Sequence, residues 1–358
     1  MTAKGLNTEP DKTCRTIKAN YAKISVANFE STGSWGETGV RDNSRIRKLT
    51  PRECFRFMGF DDEAIDKLLA VKFSNTRLYK MAGNSIVVDV LEKLFTQIFV
   101  SNPEIFPEEK EIKYLSLFSG IGAFERALER LNRKYRLVGY SEIDPYPAKA
   151  YSTLHGLPEE LNLGDVAQIE TAALPADIDL ITYGFPCQDL SAAGQQAGFY
   201  DEDGNHTRSG LFFEALRIIR EKRPKVAIAE NVKALTQKKF SKEFQMVLDG
   251  LAAAGYKNYW QVLNAKDYGV PQHRERVFIV SIRDDIESHE PIFPAPIPLE
   301  KCMEDLLEPV VDEKYYINSE RAIQLCRRLD EEGDVVDLYK FLTIFISDIA
   351  ASLGLTWE

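Results

Sequence analysis

Cys187 stands in the segment Gly184-Phe185-Pro186-Cys187-Gln188, which cuts off the short apolar run of residues 180–183. Such a run reads as a buried strand, and an α/β sheet places its chemistry just beyond the carboxyl ends of its strands. A thiol there is placed to act as a nucleophile, and Pro186 stiffens the backbone that presents it. The alternative use of a cysteine is as a small buried hydrophobe. Glu230-Asn231-Val232 ends a second apolar run, residues 226–229, with no lysine neighbour in the strand. Burial would keep such a carboxyl protonated and able to donate to a ring nitrogen. Leaving it buried without a purpose would be costly.

Arg274 and Arg276 alternate in Gln272-His273-Arg274-Glu275-Arg276. On an extended segment they share one face, where they can bind a carboxylate or phosphate, or form a structural ion pair. Phe118-Ser119-Gly120-Ile121-Gly122 follows the first strand of the alternating region, and its glycines let backbone approach a ligand. Glu142, at the end of the next strand, is placed to accept from ribose hydroxyls. A dinucleotide fingerprint would need a small residue where Glu125 stands. Adenosine without a pyrophosphate fits better. Asp165, in Gly164-Asp165-Val166, suits an adenine amino group or serves as a turn former.

These residues need elements to hold them. Strands are expected at 114–118, 137–143, 180–183, 226–229, 259–263 and 277–282, and helices at 123–131, 211–219 and 244–254. Repeated strand and helix units predict an α/β fold whose sheet is mostly parallel with helices on both faces. Upstream, Thr50-Pro51-Arg52-Glu53 forms a capping box that starts a helix. A short helix is expected at 64–71 and a tight turn at 81–85. A core-facing helix follows at 86–99, with Val90, Leu91, Leu94, Phe95 and Ile98 on its apolar side. Residues 101–112, with two prolines and a run of acids, mark a linker. Residues 1–48 read as loops and short strands. The apolar stretch 335–353 is interrupted by Asp337, Lys340 and Asp348, which argues against a membrane span and for a buried or partner-facing helix.

The chain has 358 residues, 44% hydrophobic and 28% charged, which suits one large α/β domain plus a smaller one. The cysteines at 14, 54, 187, 302 and 326 show no C-x-x-C spacing and no leader precedes them, so free thiols in a reducing cytoplasm are expected, with no zinc site. A net charge of −10 taken alone argues against nucleic acid. Residues 1–58 oppose it, with eleven Lys and Arg against six acids, as a phosphate-binding face or a solvated loop would.

Together these motifs resemble the DNA (cytosine-5) methyltransferases. The resemblance rests on Phe118-Ser119-Gly120-Ile121-Gly122, Gly184-Phe185-Pro186-Cys187-Gln188, Glu230-Asn231-Val232 and Gln272-His273-Arg274-Glu275-Arg276, joined by Arg47-Lys48-Leu49-Thr50-Pro51-Arg52-Glu53-Cys54 and Gly83-Asn84-Ser85. It covers most of residues 13–318. It implies a Rossmann-like domain that uses S-adenosylmethionine and acts on double-stranded DNA as a bacterial or phage modification enzyme. Cys187 would add to C6 of a flipped cytosine while Glu230 donates to N3, with Arg276 near the carbonyl oxygen and Arg274 alongside. Phe118, Gly120, Gly122, Glu142, Ile143, Asp165, Asn84 and Ser85 would line the cofactor pocket. DNA contacts would fall to Gln188, Ser191, Arg208, Arg45 and Arg47, and the Gly-rich stretch 191–208 would close over the target.

The motif order departs from the family. Leu49-Thr50-Pro51-Arg52-Glu53-Cys54 and Gly83-Asn84-Ser85 usually come last, and here they come first. The chain therefore resembles a circular permutant, opened inside the target-recognition region and joined through the linker. The implied organisation is 1–60, the later part of the recognition region and its following helix; 61–100, a cofactor-side helix of the catalytic domain; 101–112, the linker; 113–300, the catalytic domain; and 301–358, the start of the recognition region with the apolar helix. A small, mixed recognition domain would thus form from both chain ends. With 42 residues after Tyr316, that region is short, or a second polypeptide or self-association through the apolar helix completes it. Three rivals stand beside this reading. A transfer-RNA cytosine methyltransferase would use the same Cys and Glu. A non-catalytic DNA-binding remnant would not need them, and a nicotinamide enzyme fails at the third glycine.

Overall fold

The computed structural model describes residues 14–15, 40–42, 45–186, 199, 207, 209–318, 320 and 323. Short strands β1 (Cys14–Arg15), β2 (Val40–Asp42) and β3 (Arg45–Arg47) come first. Helix α1 (Pro51–Arg56) opens with the expected capping box, Thr50 accepting from Glu53 N–H and Glu53 reaching back to Thr50 N–H. Helix α2 (Asp62–Ala70) is capped by Asp61 and α3 (Asn75–Asn84) by Ser74. Helix α3 runs through Asn84, so most of the expected turn at 81–85 is helical, and the chain bends only at residues 85–87. Helix α4 (Val88–Ser101) buries Val90, Leu91, Leu94, Phe95 and Ile98 as its spacing requires.

The linker is packed. Ile105 and Phe106 are buried, and Asn102 exchanges hydrogen bonds with the backbone of His289, donating at 3.2 Å and accepting at 2.7 Å. Strand β4 (Ile112–Leu117), helix α5 (Ala123–Arg130), strand β5 (Tyr135–Ser141) and helix α6 (Pro145–His155) follow. Sequence reading left α6 out, although Asp144 caps it and Pro145 occupies its first position. Strand β6 (Leu180–Tyr183), helix α7 (Phe212–Lys222), strand β7 (Val226–Val232), helix α8 (Ser241–Ala253), and strands β8 (Tyr256–Asn264), β9 (Gln272–His273) and β10 (Glu275–Arg283) complete the described strands and α-helices.

The central sheet has the order β5-β4-β6-β7-β10-β8. The first four strands are parallel, as expected for strand and helix units, whereas β10 runs antiparallel to both β7 and β8. The sheet is therefore mixed, because the short loop before β10 brings the chain straight back along β8. Both faces are covered, so successive strand residues serve opposite cores. Val226 and Ile228 of β7 join the core built with α1 to α5, while Ala227 and Ala229 join the core built with α7 and α8. Helix α4 lies along α5, with Phe95 and Phe124 edge to face at 6.1 Å. This packing sets the N-terminal helices beside the first strand of the sheet.

The two end segments meet. Lys48 N–H donates to the Tyr315 carbonyl at 2.9 Å, Arg47 bridges antiparallel to Tyr316, and β1 pairs parallel with β9. The expected closing stretch 191–208, apart from residues 199 and 207, and the expected helix 335–353 lie outside the described residues.

Candidate active site

A cleft of about 380 Å³ opens at the carboxyl ends of β4, β5, β6 and β7. Phe118, Gly120 and Ile121 line it from the turn after β4, and Glu142 and Ile143 line it from the segment after β5. Asp165, Asn84, Ser85, Glu230, Arg274 and Arg276 line it too. The cleft thus gathers expected site residues from positions 84 to 276 of the chain.

The turn after β4 is held in an unusual shape. Phe118 has φ +53° and Gly120 φ +56°, a left-handed conformation that costs a residue with a Cβ about 1–2 kcal/mol. Ser119 N–H donates to the Ser141 carbonyl at 3.0 Å and Gly120 N–H to Glu142 Oε2 at 3.1 Å. Glu142 also accepts from Asp144 N–H at 2.8 Å through its other oxygen. Burial raises the Glu142 pKa, and these two N–H donors oppose it. The carboxylate is therefore fixed as an acceptor facing the cleft. Beside it Ile143 is 73% exposed, a large apolar side chain open to a ligand. Asp165 caps a short turn, accepting from Ala167 N–H at 3.0 Å.

At the inner end, Glu230 lies 13% exposed with its Oε1 3.0 Å from Arg276 Nε. Burial raises its pKa, and the charges of Arg276 and Arg274 counter that only in part. Gly184 faces it closely, since a Cβ there would stand 3.5 Å from Glu230 Oε2. Arg274 does different work from Arg276. Its Nη2 donates to the carbonyls of Gly83 (3.0 Å) and Ser85 (2.7 Å), so it fixes the bend that carries Asn84 and Ser85 into the cleft. The expected shared ligand face of the two arginines is thus divided between a carboxylate and a backbone bend.

Asn231 was not singled out by sequence reading, although it stands inside the Glu230-Asn231-Val232 motif. Its Nδ2 donates to the Phe185 carbonyl at 3.0 Å and locks the turn that leads to Cys187. Pro186, the last described residue before Cys187, lines the cleft. Arg77 and Lys80 were also missed; their i, i+3 spacing on α3 aims both at the rim. There Lys80 meets Asp144 at 2.8 Å, and Arg77 stacks on the half-open Tyr146 ring at 3.7 Å.

Three expected site residues do not line the cleft. Gly122, at φ +82°, underlies it: a Cβ there would overlap the His155 ring. Arg47 is buried in a bidentate pair with Glu53, both bonds 2.8 Å, because the buried capping-box carboxylate takes it as partner, and this corrects its assignment to DNA. Arg45 is on the surface but engages Glu313 and Asn318 and stacks on the Tyr316 ring at 4.0 Å. Cys187, Gln188, Ser191 and Arg208 lie outside the described residues.

The orphan methyltransferase M.SPRI of Bacillus phage SPR is 36% identical over 247 residues, covering 61% of this chain and 55% of that protein. The type II methyltransferase M.NlaX of Neisseria lactamica is 40% identical over 207 residues, covering 58% and 63% respectively. The chain thus spans little more than half the length of these relatives. Among solved structures, the S. pombe Dnmt2 methyltransferase aligns at 23% identity and a TM-score of 0.48, over 63% of this chain and 69% of that one. The model of the C-5 cytosine-specific DNA methylase family matches residues 5–100 and 112–342, breaking only at the linker. With its mixed α/β sheet of the Rossmann-like methyltransferase kind and a cleft at the strand ends, this chain belongs to the C-5 cytosine-specific DNA methylase family.

Proposed function

We propose that this chain methylates C5 of cytosine in double-stranded DNA, using S-adenosylmethionine and a transient bond between Cys187 and C6. The observation that carries the reading is that one cleft holds both Glu142 and Asp165 beside the exposed Ile143, a set suited to adenosine, and the buried Glu230, whose pKa burial raises, paired with Arg276. About 380 Å³ suits a nucleoside-sized ligand, and the cleft offers carboxylates to hydroxyls and an amino group rather than a cradle for a pyrophosphate. S-adenosylmethionine, when bound, supplies an electrophilic methyl group.

The chain's own residues do the rest. The Cys187 thiolate adds to C6 of the base, breaking the C5–C6 double bond and pushing charge into the ring. Glu230, whose pKa burial raises toward the proton-donating form, gives its proton to N3 and so neutralises that charge. Arg276 holds Glu230 in place and reaches toward the carbonyl oxygen. Once C5 carries the methyl group, N3 returns its proton to Glu230, and loss of the C5 proton to water expels the thiolate and restores the double bond. Asn231 fixes the turn at Phe185 from which Cys187 is presented. The target base must leave the stack to present C5 and C6 inside the cleft.

The motif order supports a circular permutation. Residues 45–48 and 313–316 run side by side, so a recognition region made from both end segments would grow from one stem. The deciding experiment is transfer of labelled methyl from S-adenosylmethionine to mixed-sequence duplex DNA by the purified chain, with Cys187→Ser as control. Incorporation lost in the variant is expected. Labelling of transfer RNA alone would overturn the DNA reading. Cofactor binding without transfer to either would overturn the chain as a sufficient enzyme and point to a second polypeptide.

A further inference from the structure

We propose that His155, held as an imidazolium between Glu129 and the Ile121 carbonyl, is the positioning residue that fixes the glycine turn under the cofactor cleft. The inference rests on reading that cleft as the S-adenosylmethionine site. His155 ends α6, and its side chain is buried, with Nδ1 2.6 Å from Glu129 Oε1 and Nε2 3.2 Å from the Ile121 oxygen. Ile121 lines the cleft, and the absent side chain of Gly122 makes room for the ring.

Both neighbours of the ring are acceptors. A carbonyl oxygen has no proton to give. Glu129 receives Arg126 Nη1 at 3.0 Å on one oxygen and the Tyr135 hydroxyl at 3.1 Å on the other, as an ionised carboxylate does. A neutral imidazole would satisfy only one side and turn a lone pair against the other. Two protons are required, and the ring is then a cation with a donor on each nitrogen.

The surrounding charges agree. From α5 the ring is faced by Glu125, Glu129 and Arg126, with Glu125 fully buried and accepting from Tyr151 at 2.9 Å. Asp61, the cap of α2, also engages Arg126. Tyr151 stands below on α6, its ring centre 4.8 Å from that of His155. Tyr135 reaches Glu129 from β5, and its hydroxyl is held neutral by burial. Burial alone would lower the His155 pKa, yet Glu129 and Glu125 outweigh it and the shift is upward. The sign follows. Below the ordinary histidine value the second donor is fully present, and it is lost as pH rises through the raised value.

The turn is thus pinned at two ends, by Ser141 and Glu142 at Ser119 and Gly120, and by His155 at Ile121. When Nε2 loses its proton, the Ile121 end is released. Affinity for S-adenosylhomocysteine should then fall about tenfold, the share of one hydrogen bond to a charged group.

The test measures S-adenosylhomocysteine binding to the full chain by calorimetry from neutral to alkaline pH, with nitrogen NMR of labelled histidine reading the ring itself. The ring should be doubly protonated at neutral pH, and its titration should coincide with the fall in affinity. Glu129→Gln should move both transitions to lower pH together, and His155→Gln should bind about tenfold more weakly without that transition. A ring that is neutral at neutral pH, or an affinity that ignores its titration, would overturn the positioning role alone. Binding at no pH would overturn the cofactor reading and this role with it.

Discussion

Arg47 offers the sharpest test of tertiary structure against motif. Its side chain is 3% exposed and that of Glu53 is 0%, and two 2.8 Å bonds join them. Glu53 also accepts from Thr50 N–H at 2.7 Å and from Glu308 N–H at 2.8 Å, so one carboxylate ties α1 to both end segments. Removing one member leaves the other charged and buried, which costs about 3–5 kcal/mol. Glu53→Ala should fall at the upper end, because two backbone donors lose their acceptor as well, roughly 1 kcal/mol each. Arg47→Met keeps most of the volume and should fall at the lower end. The double replacement Arg47→Met with Glu53→Leu removes both charges, and should cost less than the sum by on the order of 2 kcal/mol. Urea denaturation of the full chain measures all three. In parallel, the salt dependence of DNA binding should keep its slope in Arg47→Met, whereas loss of a phosphate contact would reduce it by about one. A stability cost under about 1 kcal/mol together with such a drop would refute the assignment and return Arg47 to the DNA.

Cys187→Ser should abolish methyl transfer and leave S-adenosylmethionine affinity unchanged, as seen by calorimetry; retained turnover would sink the covalent route. Glu230→Gln should lower the transfer rate by about 10²–10⁴-fold, the usual weight of a positioned proton donor. Because burial raises the Glu230 pKa, the donating form is present at low pH and lost as pH rises through that value, so the alkaline limb of the rate profile should vanish in the variant. Glu142→Ala should weaken cofactor binding by about 10–100-fold, since it removes the acceptor and frees Gly120 N–H; equal affinity would place the ribose elsewhere. Gly122→Ala forces a Cβ to 2.8 Å from His155 Cδ2 and 3.0 Å from Tyr151 Cδ2 at a left-handed φ, and should cost about 1–3 kcal/mol in a urea melt.

Much of the site was legible in the sequence because its signals are local. A strand that ends at Gly184-Phe185-Pro186, a capping box at Thr50, and a glycine turn followed by an acid one strand later each depend on a few neighbouring residues. The alternation of β7 between two cores and the apolar stripe of α4 are periods that can be counted. Residue type at those places singled out Glu142, Asp165 and Glu230 one by one, and the tertiary structure brought the three to one cleft. Helix α6 was equally legible, since Asp144-Pro145 is an ordinary start signal, and its omission hid His155.

Which arginine meets which partner was decided only by the tertiary structure. Arg45, Arg47, Arg274 and Arg276 are chemically alike, and nothing near them in the chain separates a ligand contact from a structural one. Arg274 finds its acceptors 191 and 189 residues away, at Gly83 and Ser85, and Glu53 finds the backbone of Glu308 across 255. The same holds for Gly122, whose missing side chain serves a histidine on another helix rather than a ligand. Sequence spacing constrains neighbours within a turn or a strand. The buried partner of a charge depends on how whole elements pack, and a cation taken from water must find that partner or not be buried at all.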